Sequence, residues 1–225
     1  MKERPILFSG AMVRAILDGR KTQTRRVVKL PHNNPLGEWE PTKFGGPQGG
    51  RTAAGDIVPE QGAIWHTRTG DCLTCPHGQP GDRLWVRETY AYVGPGSGSD
   101  LPSYVEERQK PENHKPANCW YRASGEENII WTPSIHMPRW ASRITLEVTG
   151  VRAERLQDIS EADAIAEGID KTAAGFWSTY CQSDVDGTYS PRLSYQCLWN
   201  SINAARGFGW DANPWVWIME FRGAI

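Results

Sequence analysis

Long apolar runs are missing from this sequence. No stretch approaches the roughly 18–20 consecutive apolar residues that a membrane-spanning helix needs. The apolar run near the N-terminus, Ile6-Leu7-Phe8, is too short for the hydrophobic core of a signal peptide. These absences predict a cytoplasmic protein without a membrane partner.

Cysteine is sparse, and the five cysteines are scattered, at positions 72, 75, 119, 181 and 197. An odd, scattered set argues against a disulfide scaffold. Cys72 and Cys75 have the local spacing of a zinc-binding pair, with His77 close by, but no second pair completes four ligands. We therefore expect free thiols and no metal or other cofactor, with a metal at Cys72 and Cys75 as the alternative.

Several common motifs are also absent. The chain has no G-x-G-x-x-G after a strand, no P-loop and no H-E-x-x-H, so nucleotide hydrolysis and zinc proteolysis have no support. A net charge of −1 excludes a strongly basic nucleic-acid coat. The basic groups are instead concentrated, since residues 1–30 carry eight Lys and Arg against two acids. Such a patch suits an anionic ligand of limited size, although a solvated basic face has the same composition.

What is present is a globular composition, with 225 residues, 39% hydrophobic and 23% charged. We expect one domain over residues 1–225, because the segments near both termini have the pattern of strands from a single core. Two stretches rich in Pro, Gly and Ser, at about 31–80 and 94–135, are predicted to be long, loop-rich insertions with short hairpins hidden in the first.

The elements alternate between short strands and short helices. Ser9 is placed to cap a helix that runs to about Asp18, where Gly19 ends it. Residues 143–149 alternate strictly, which predicts a strand with Ile144, Leu146 and Val148 inward.

A second helix is predicted within 156–168, capped by Asp158 or Ser160, with Ile159, Ala162, Ile165 and Ala166 toward the core. A third begins near Pro191, and residues 215–221 form the last strand. This order predicts an α+β fold built as a small barrel.

Residues 16–25, Ile-Leu-Asp-Gly-Arg-Lys-Thr-Gln-Thr-Arg, resemble the G-x-K-T-x-T-x-R signature of ASCH domains. The Gly81-Asp82 turn, the strand and helix over 143–168, and the strand over 215–221 are similar to later blocks of the same family. The resemblance covers about half of the chain, and the layout is similar to the longer ASCH proteins of phages and prophages. It implies a small PUA-like β-barrel.

The same resemblance implies a function. Some ASCH proteins are N(4)-acetylcytidine amidohydrolases, in which a Lys is the general base, a Thr the nucleophile and a Glu the acid. Those roles fall here on Lys21, Thr24 and Glu167, with Glu161 and Asp163 as rivals for the acid on the same helix. The chemistry is reasonable in itself, because a Thr hydroxyl needs a neighbouring base and nearby cations lower the pKa of a Lys. The mechanism requires a turn at 20–23 that brings Lys21 round to Thr24.

Other polar residues are predicted to bind the substrate, either within the signature or near the aromatic segment 131–143. They are Arg20, Thr22, Arg25, Arg26, Arg139, Trp140 and Arg143. Guanidinium groups pair with phosphates and aromatic rings stack on bases, although Trp140 is equally suited to plain packing.

Three functions remain open at this point. The leading hypothesis is an amidohydrolase that acts on an N-acylated nucleobase or nucleoside. The alternative is a module or ribonuclease of the PUA-like class that binds RNA or single-stranded nucleic acid along a basic groove from residues 20–26 to Arg139 and Arg143. A third is a phage accessory protein that acts through protein contacts and whose signature residues do not converge.

Overall fold

The computed structural model describes residues 1–46, 50–51, 53–93, 111–125, 130–180 and 187–223. In this part of the chain, three α-helices are interspersed among ten strands: α1 (Gly10–Leu17), α2 (Glu161–Ala166) and α3 (Pro191–Asn203). The strands are β1 (Glu3–Leu7), β2 (Gln23–Val27), β3 (Trp39–Phe44), β4 (Gln61–His66), β5 (Cys72–Thr74), β6 (Arg83–Arg87), β7 (Tyr90–Tyr92), β8 (Cys119–Tyr121), β9 (Thr145–Arg155) and β10 (Trp215–Gly223). The fold is mixed α+β, as predicted.

Five strands form the main sheet in the order β1-β6-β9-β10-β2. β1 runs parallel to β6, and the other neighbours are antiparallel. Both ends of the chain therefore lie in one sheet. β1 and β2 are its two edge strands, and the strands in the described ranges form no closed barrel.

The alternation at the start of β9 and in the residue before it has the predicted result, since Ile144, Leu146 and Val148 are all buried. β10 is apolar on both faces, and its residues 215–219 are all buried. A strand in this position, between β9 and β2 and covered on both sides, has no solvent face that would favour alternation. No helix among the described residues is long and apolar enough to cross a membrane.

The segment at 31–80 is more regular than its Pro and Gly content predicts. It contains a three-stranded antiparallel sheet in the order β3-β4-β5, with Ala63 and Ile64 fully buried in its central strand. Pro41 is tolerated because β3 is an edge strand. This sheet packs directly on β9: a Cβ added at Gly62 would lie 2.3 Å from the Val151 carbonyl oxygen.

The predicted insertion at 94–135 lies partly outside the described residues, which omit 94–110 and 126–129. Within the described part, β8 pairs with β7. This pair and the segment that follows enclose a small second core formed by Tyr90, Tyr92, Cys119, Tyr121, Met137 and Ala141.

The helix caps follow the sequence, whereas one predicted core face is wrong. Ser9 Oγ accepts the Met12 amide of α1, and Ser160 Oγ accepts the Asp163 amide of α2. α2 has only six residues because residues 156–158 form a separate 3-10 turn. As a result Ala164 is buried on α2, whereas Ala162 and Ile165 are exposed.

Candidate active site

A cavity of about 590 Å³ lies at the open seam between the two edge strands of the main sheet. The end of β1 lines it through residues 7–9, β2 through residues 24–27, and α3 closes the other side. Arg26 crosses the seam, and its Nη2 donates to the Leu7 carbonyl at 2.9 Å.

The polar floor of this cavity is the buried Glu167 carboxylate, held by Lys21 and Arg25. Lys21 Nζ donates to Glu167 Oε2 at 2.9 Å and to the Glu167 main-chain oxygen at 2.7 Å. Arg25 Nη1 donates to Glu167 Oε1 at 3.1 Å. The side chains of Lys21, Arg25 and Glu167 are 1%, 0% and 4% exposed, so water screens these charges very little.

The local fold places Lys21 beside Glu167. The main-chain amides of Arg20 and Lys21 both donate to the Ala15 carbonyl, which turns the chain after α1. The Thr22 amide donates to the Ala166 carbonyl and so joins this turn to the end of α2. Gly168 has a positive φ of 80°, and a Cβ added there would lie 2.7 Å from Lys21 Cβ. The turn that the mechanism requires at 20–23 is therefore present.

The surroundings shift two pKa values in directions that matter for catalysis. Burial lowers the pKa of Lys21 below its usual value; pairing with Glu167 opposes this effect, while Arg26 and Arg25 add to it. Burial and the Glu167 charge raise the pKa of Tyr195 well above its usual value. Lys21 is thus pushed toward the neutral amine, and Tyr195 keeps its proton.

Two hydroxyl groups in the cavity wall make no hydrogen bond within the described residues, and neither is an inaccessible, unsatisfied atom. Thr24 is 2% exposed and Tyr195 is 3% exposed, and both line the cavity. Both hydroxyl groups are therefore open to the cavity, where water or a ligand can pair with them. Within the described chain Lys21 Nζ makes its hydrogen bonds to Glu167 and none to the Thr24 hydroxyl.

Among the three acids on or next to α2, only Glu167 lines the cavity. Glu161 is exposed and does not line the cavity. Asp163 lies behind the floor, where its side-chain oxygens accept from Gln23 at 3.1 Å and lie 3.4 Å from Arg25 Nη2.

Of the predicted binding residues, Arg25 and Arg26 line the cavity and the other five do not. Arg20 is ion-paired with Asp18 and Asp170. Thr22 is exposed on the outer side of the turn.

The predicted binding residues of the aromatic segment 131–143 make their contacts outside the cavity. Arg139 pairs with Glu3, and Arg143 pairs with the buried Glu88. Trp140 stacks on His114, with ring centroids 4.6 Å apart, and packs against the second core.

Several other residues that line the cavity were not predicted as site residues from the sequence. They are Phe8, Lys29, His77, Tyr195, Trp199, Arg206 and Phe208. Tyr195 and Trp199 belong to the apolar stripe of α3, a pattern that equally predicts core packing, and His77 drew attention only as a neighbour of the cysteines.

Cys72 and Cys75 do not form part of a metal-binding cluster among the described residues. Cys72 is exposed and Cys75 is buried, both as free thiols, and burial raises the pKa of Cys75 to about 11. Across the described ranges, no group of three His, Cys, Asp or Glu residues is arranged to hold a metal ion.

Comparisons with known proteins add no relative: no family model, no curated protein and no solved structure matches the chain. The similarity to ASCH domains therefore depends on the sequence blocks described above.

Proposed function

We propose that this chain is an ASCH-type amidohydrolase that removes an acyl group from an N-acylated nucleobase or nucleoside, with N(4)-acetylcytidine as the representative substrate. The observation that carries the proposal is that Lys21, Thr24 and Glu167 line one cavity. Its volume of about 590 Å³ falls within the range of small-molecule sites. In the same proposal, the main sheet is a PUA-like barrel opened at the seam between β1 and β2.

In the first step Lys21 acts as the general base. A neutral lysine amine has two N–H donors and one lone pair, and both hydrogen bonds of Nζ go to Glu167. The lone pair is then available for the proton of Thr24, a contact that tightens when substrate binds. The Thr24 oxygen attacks the acyl carbonyl, and the protonated Tyr195 hydroxyl donates to the carbonyl oxygen as it gains charge.

In the second step the amide bond breaks. The proton taken up by Lys21 passes through the 2.9 Å hydrogen bond to Glu167, and from there to the departing nitrogen of the base. Arg25 holds the other carboxylate oxygen in place meanwhile. Water then hydrolyses the acyl ester on Thr24, which releases the carboxylic acid and restores the hydroxyl.

Aromatic side chains offer surfaces for the base. Phe8 and Trp199 line the cavity together with Tyr195, whose ring centroid lies 6.2 Å from that of Trp199. Stacking on such rings tolerates any base, so these contacts favour a planar substrate without selecting one.

The two other functions have less support. The nucleic-acid groove predicted to reach Arg139 and Arg143 would need guanidinium groups that are already ion-paired with Glu3 and Glu88. A protein that acted only through surface contacts would not need the signature residues to share a cavity.

The test is an assay of N(4)-acetylcytidine hydrolysis monitored by chromatography. It compares the wild-type protein with the variants Lys21→Met, Thr24→Val and Glu167→Gln. We expect Glu167→Gln to lower kcat by about 10²–10⁴ with a smaller effect on KM, because the amide cannot deliver the proton. Glu161→Gln, on the exposed side of the same helix, is the matched control and should retain wild-type rates. Absence of turnover in the wild-type protein, or damage from Glu161→Gln alone, would overturn the proposal.

A further inference from the structure

The cavity is lined by more basic side chains than are needed to pair with its one carboxylate. Five Lys and Arg side chains line it, whereas Glu167 is the single carboxylate in the lining. Lys21 and Arg25 are paired with that carboxylate. The remaining three, Arg26, Lys29 and Arg206, have no carboxylate partner among the described residues.

The excess is concentrated where the segment at 31–80 reaches the cavity. His77, from that segment, lines the cavity together with Arg26 and Lys29. Burial lowers the pKa of His77, and the charges of Arg26, Arg4 and Lys29 lower it further, with no carboxylate contributing in the opposite direction. Arg4 is paired with Asp82 at 3.8 Å, whereas Arg26 and Lys29 form no ion pair within the described residues.

The position of this cluster relative to Thr24 is set by β2. Thr24 and Arg26 are two residues apart on the strand, which separates them by about 6.6 Å and places their side chains on the same face. Lys29 follows shortly after the strand ends. A ligand that presents its acyl amide to Thr24 is therefore within reach of Arg26, Lys29 and His77 at its far end.

We propose that Arg26, Lys29 and His77 form a phosphate subsite, so that the preferred substrate is a phosphorylated nucleoside and not the free nucleoside. This inference builds on the proposed function, since it names the substrate class of the same cavity. Arg supplies a planar fork and Lys a point charge, which together suit a phosphate oxygen cluster. The phosphate belongs either to a free nucleotide or to an RNA strand.

Calorimetric titration with product-like ligands tests the subsite without relying on turnover. Cytidine 5′-monophosphate should bind about tenfold more tightly than cytidine, as expected for one charge-assisted contact, and inorganic phosphate alone should show saturable, salt-sensitive binding. In Lys29→Ala the preference for the phosphorylated ligand should fall toward one. Lys171→Ala removes the same charge from an exposed lysine over Trp177, outside the cavity, and should keep the preference.

The outcomes separate the two proposals. Equal affinities for cytidine and its monophosphate, no saturable binding of phosphate, or a preference that survives Lys29→Ala would overturn the subsite even if N(4)-acetylcytidine is hydrolysed. Phosphate binding that depends on Lys29 in a protein without turnover would support the subsite and overturn the amidohydrolase. A short single-stranded RNA that binds more tightly than the monophosphate, with the same dependence on Lys29, would identify the source as RNA.

Discussion

At the scale of single residues, the site depends on how Lys21 and Arg25 share the buried carboxylate of Glu167. The residue types and their spacing in the signature were visible in the sequence, whereas the turn at 20–23 followed only as a requirement of the mechanism. Burial was not visible, because it comes from α2 and Gly168, which lie more than a hundred residues further along the chain. The pairing makes Lys21 a structural residue as well as a candidate base.

The lowered pKa of Lys21 predicts a pH dependence of stability. The unfolded chain holds this proton up to about the ordinary lysine value of 10.5, whereas the folded protein releases it at a lower pH. Within that window the unfolded state binds more protons, so the free energy of unfolding rises with pH, by at most about 1.4 kcal/mol per pH unit. Lys21→Met retains apolar bulk without the charge and should lack this rise.

Urea denaturation of both proteins at intervals between about pH 7 and pH 10 isolates the effect, because other groups titrate in both. The difference in unfolding free energy between wild type and Lys21→Met should move in favour of wild type as pH rises. A difference that stays constant or moves the other way would show that pairing with Glu167 outweighs burial.

At the scale of elements, helix caps and strand alternation were predicted correctly from the sequence, whereas the buried face of a short helix was not. The caps at Ser9 and Ser160 and the alternation around Leu146 followed from short-range physics. The buried face of α2 was predicted wrongly because a six-residue helix has too few turns to define a stripe, and the chain before it forms a 3-10 turn. Within 31–80 the sequence predicted short hairpins but not their assembly into one sheet, since a Pro such as Pro41 is as common in loops as at edge strands.

Gly168, which ends α2, provides the test at this scale. Its positive φ of 80° and the approach of Lys21 Cβ and Ala15 Cβ leave no room for a side chain. Gly168→Ala should therefore lower the free energy of unfolding by about 2–5 kcal/mol, from backbone strain together with overpacking. Gly70→Ala is the matched control, because its φ is 76° and a Cβ there would meet nothing within 4 Å.

Chemical denaturation measures the free energy of unfolding of both variants. Gly70→Ala should cost only the strain, about 1–2 kcal/mol. Equal losses in the two variants would mean that the contact between Gly168 and Lys21 does not constrain the site.

At the scale of the whole molecule, the seam between β1 and β2 brings together segments that are distant in sequence. Its walls come from the signature, from the end of β1, from α3 and from His77 in the segment at 31–80. The signature could be recognised from the sequence as part of the site because its residues are contiguous in the chain. They could not predict the contributions of Tyr195 or His77, because an apolar helix stripe and a lone histidine do not reveal which space they face.

The proposed mechanism requires Thr24 to be the nucleophile in this cavity, and a trapped acyl group tests this role directly. The wild-type protein is mixed with N(4)-acetylcytidine, quenched during turnover, digested and mapped by mass spectrometry. We predict an acetyl group on Thr24, absent from Thr24→Val, which should also lose hydrolysis. Hydrolysis that continues in Thr24→Val, or an acetyl group found on another residue in its place, would contradict the account.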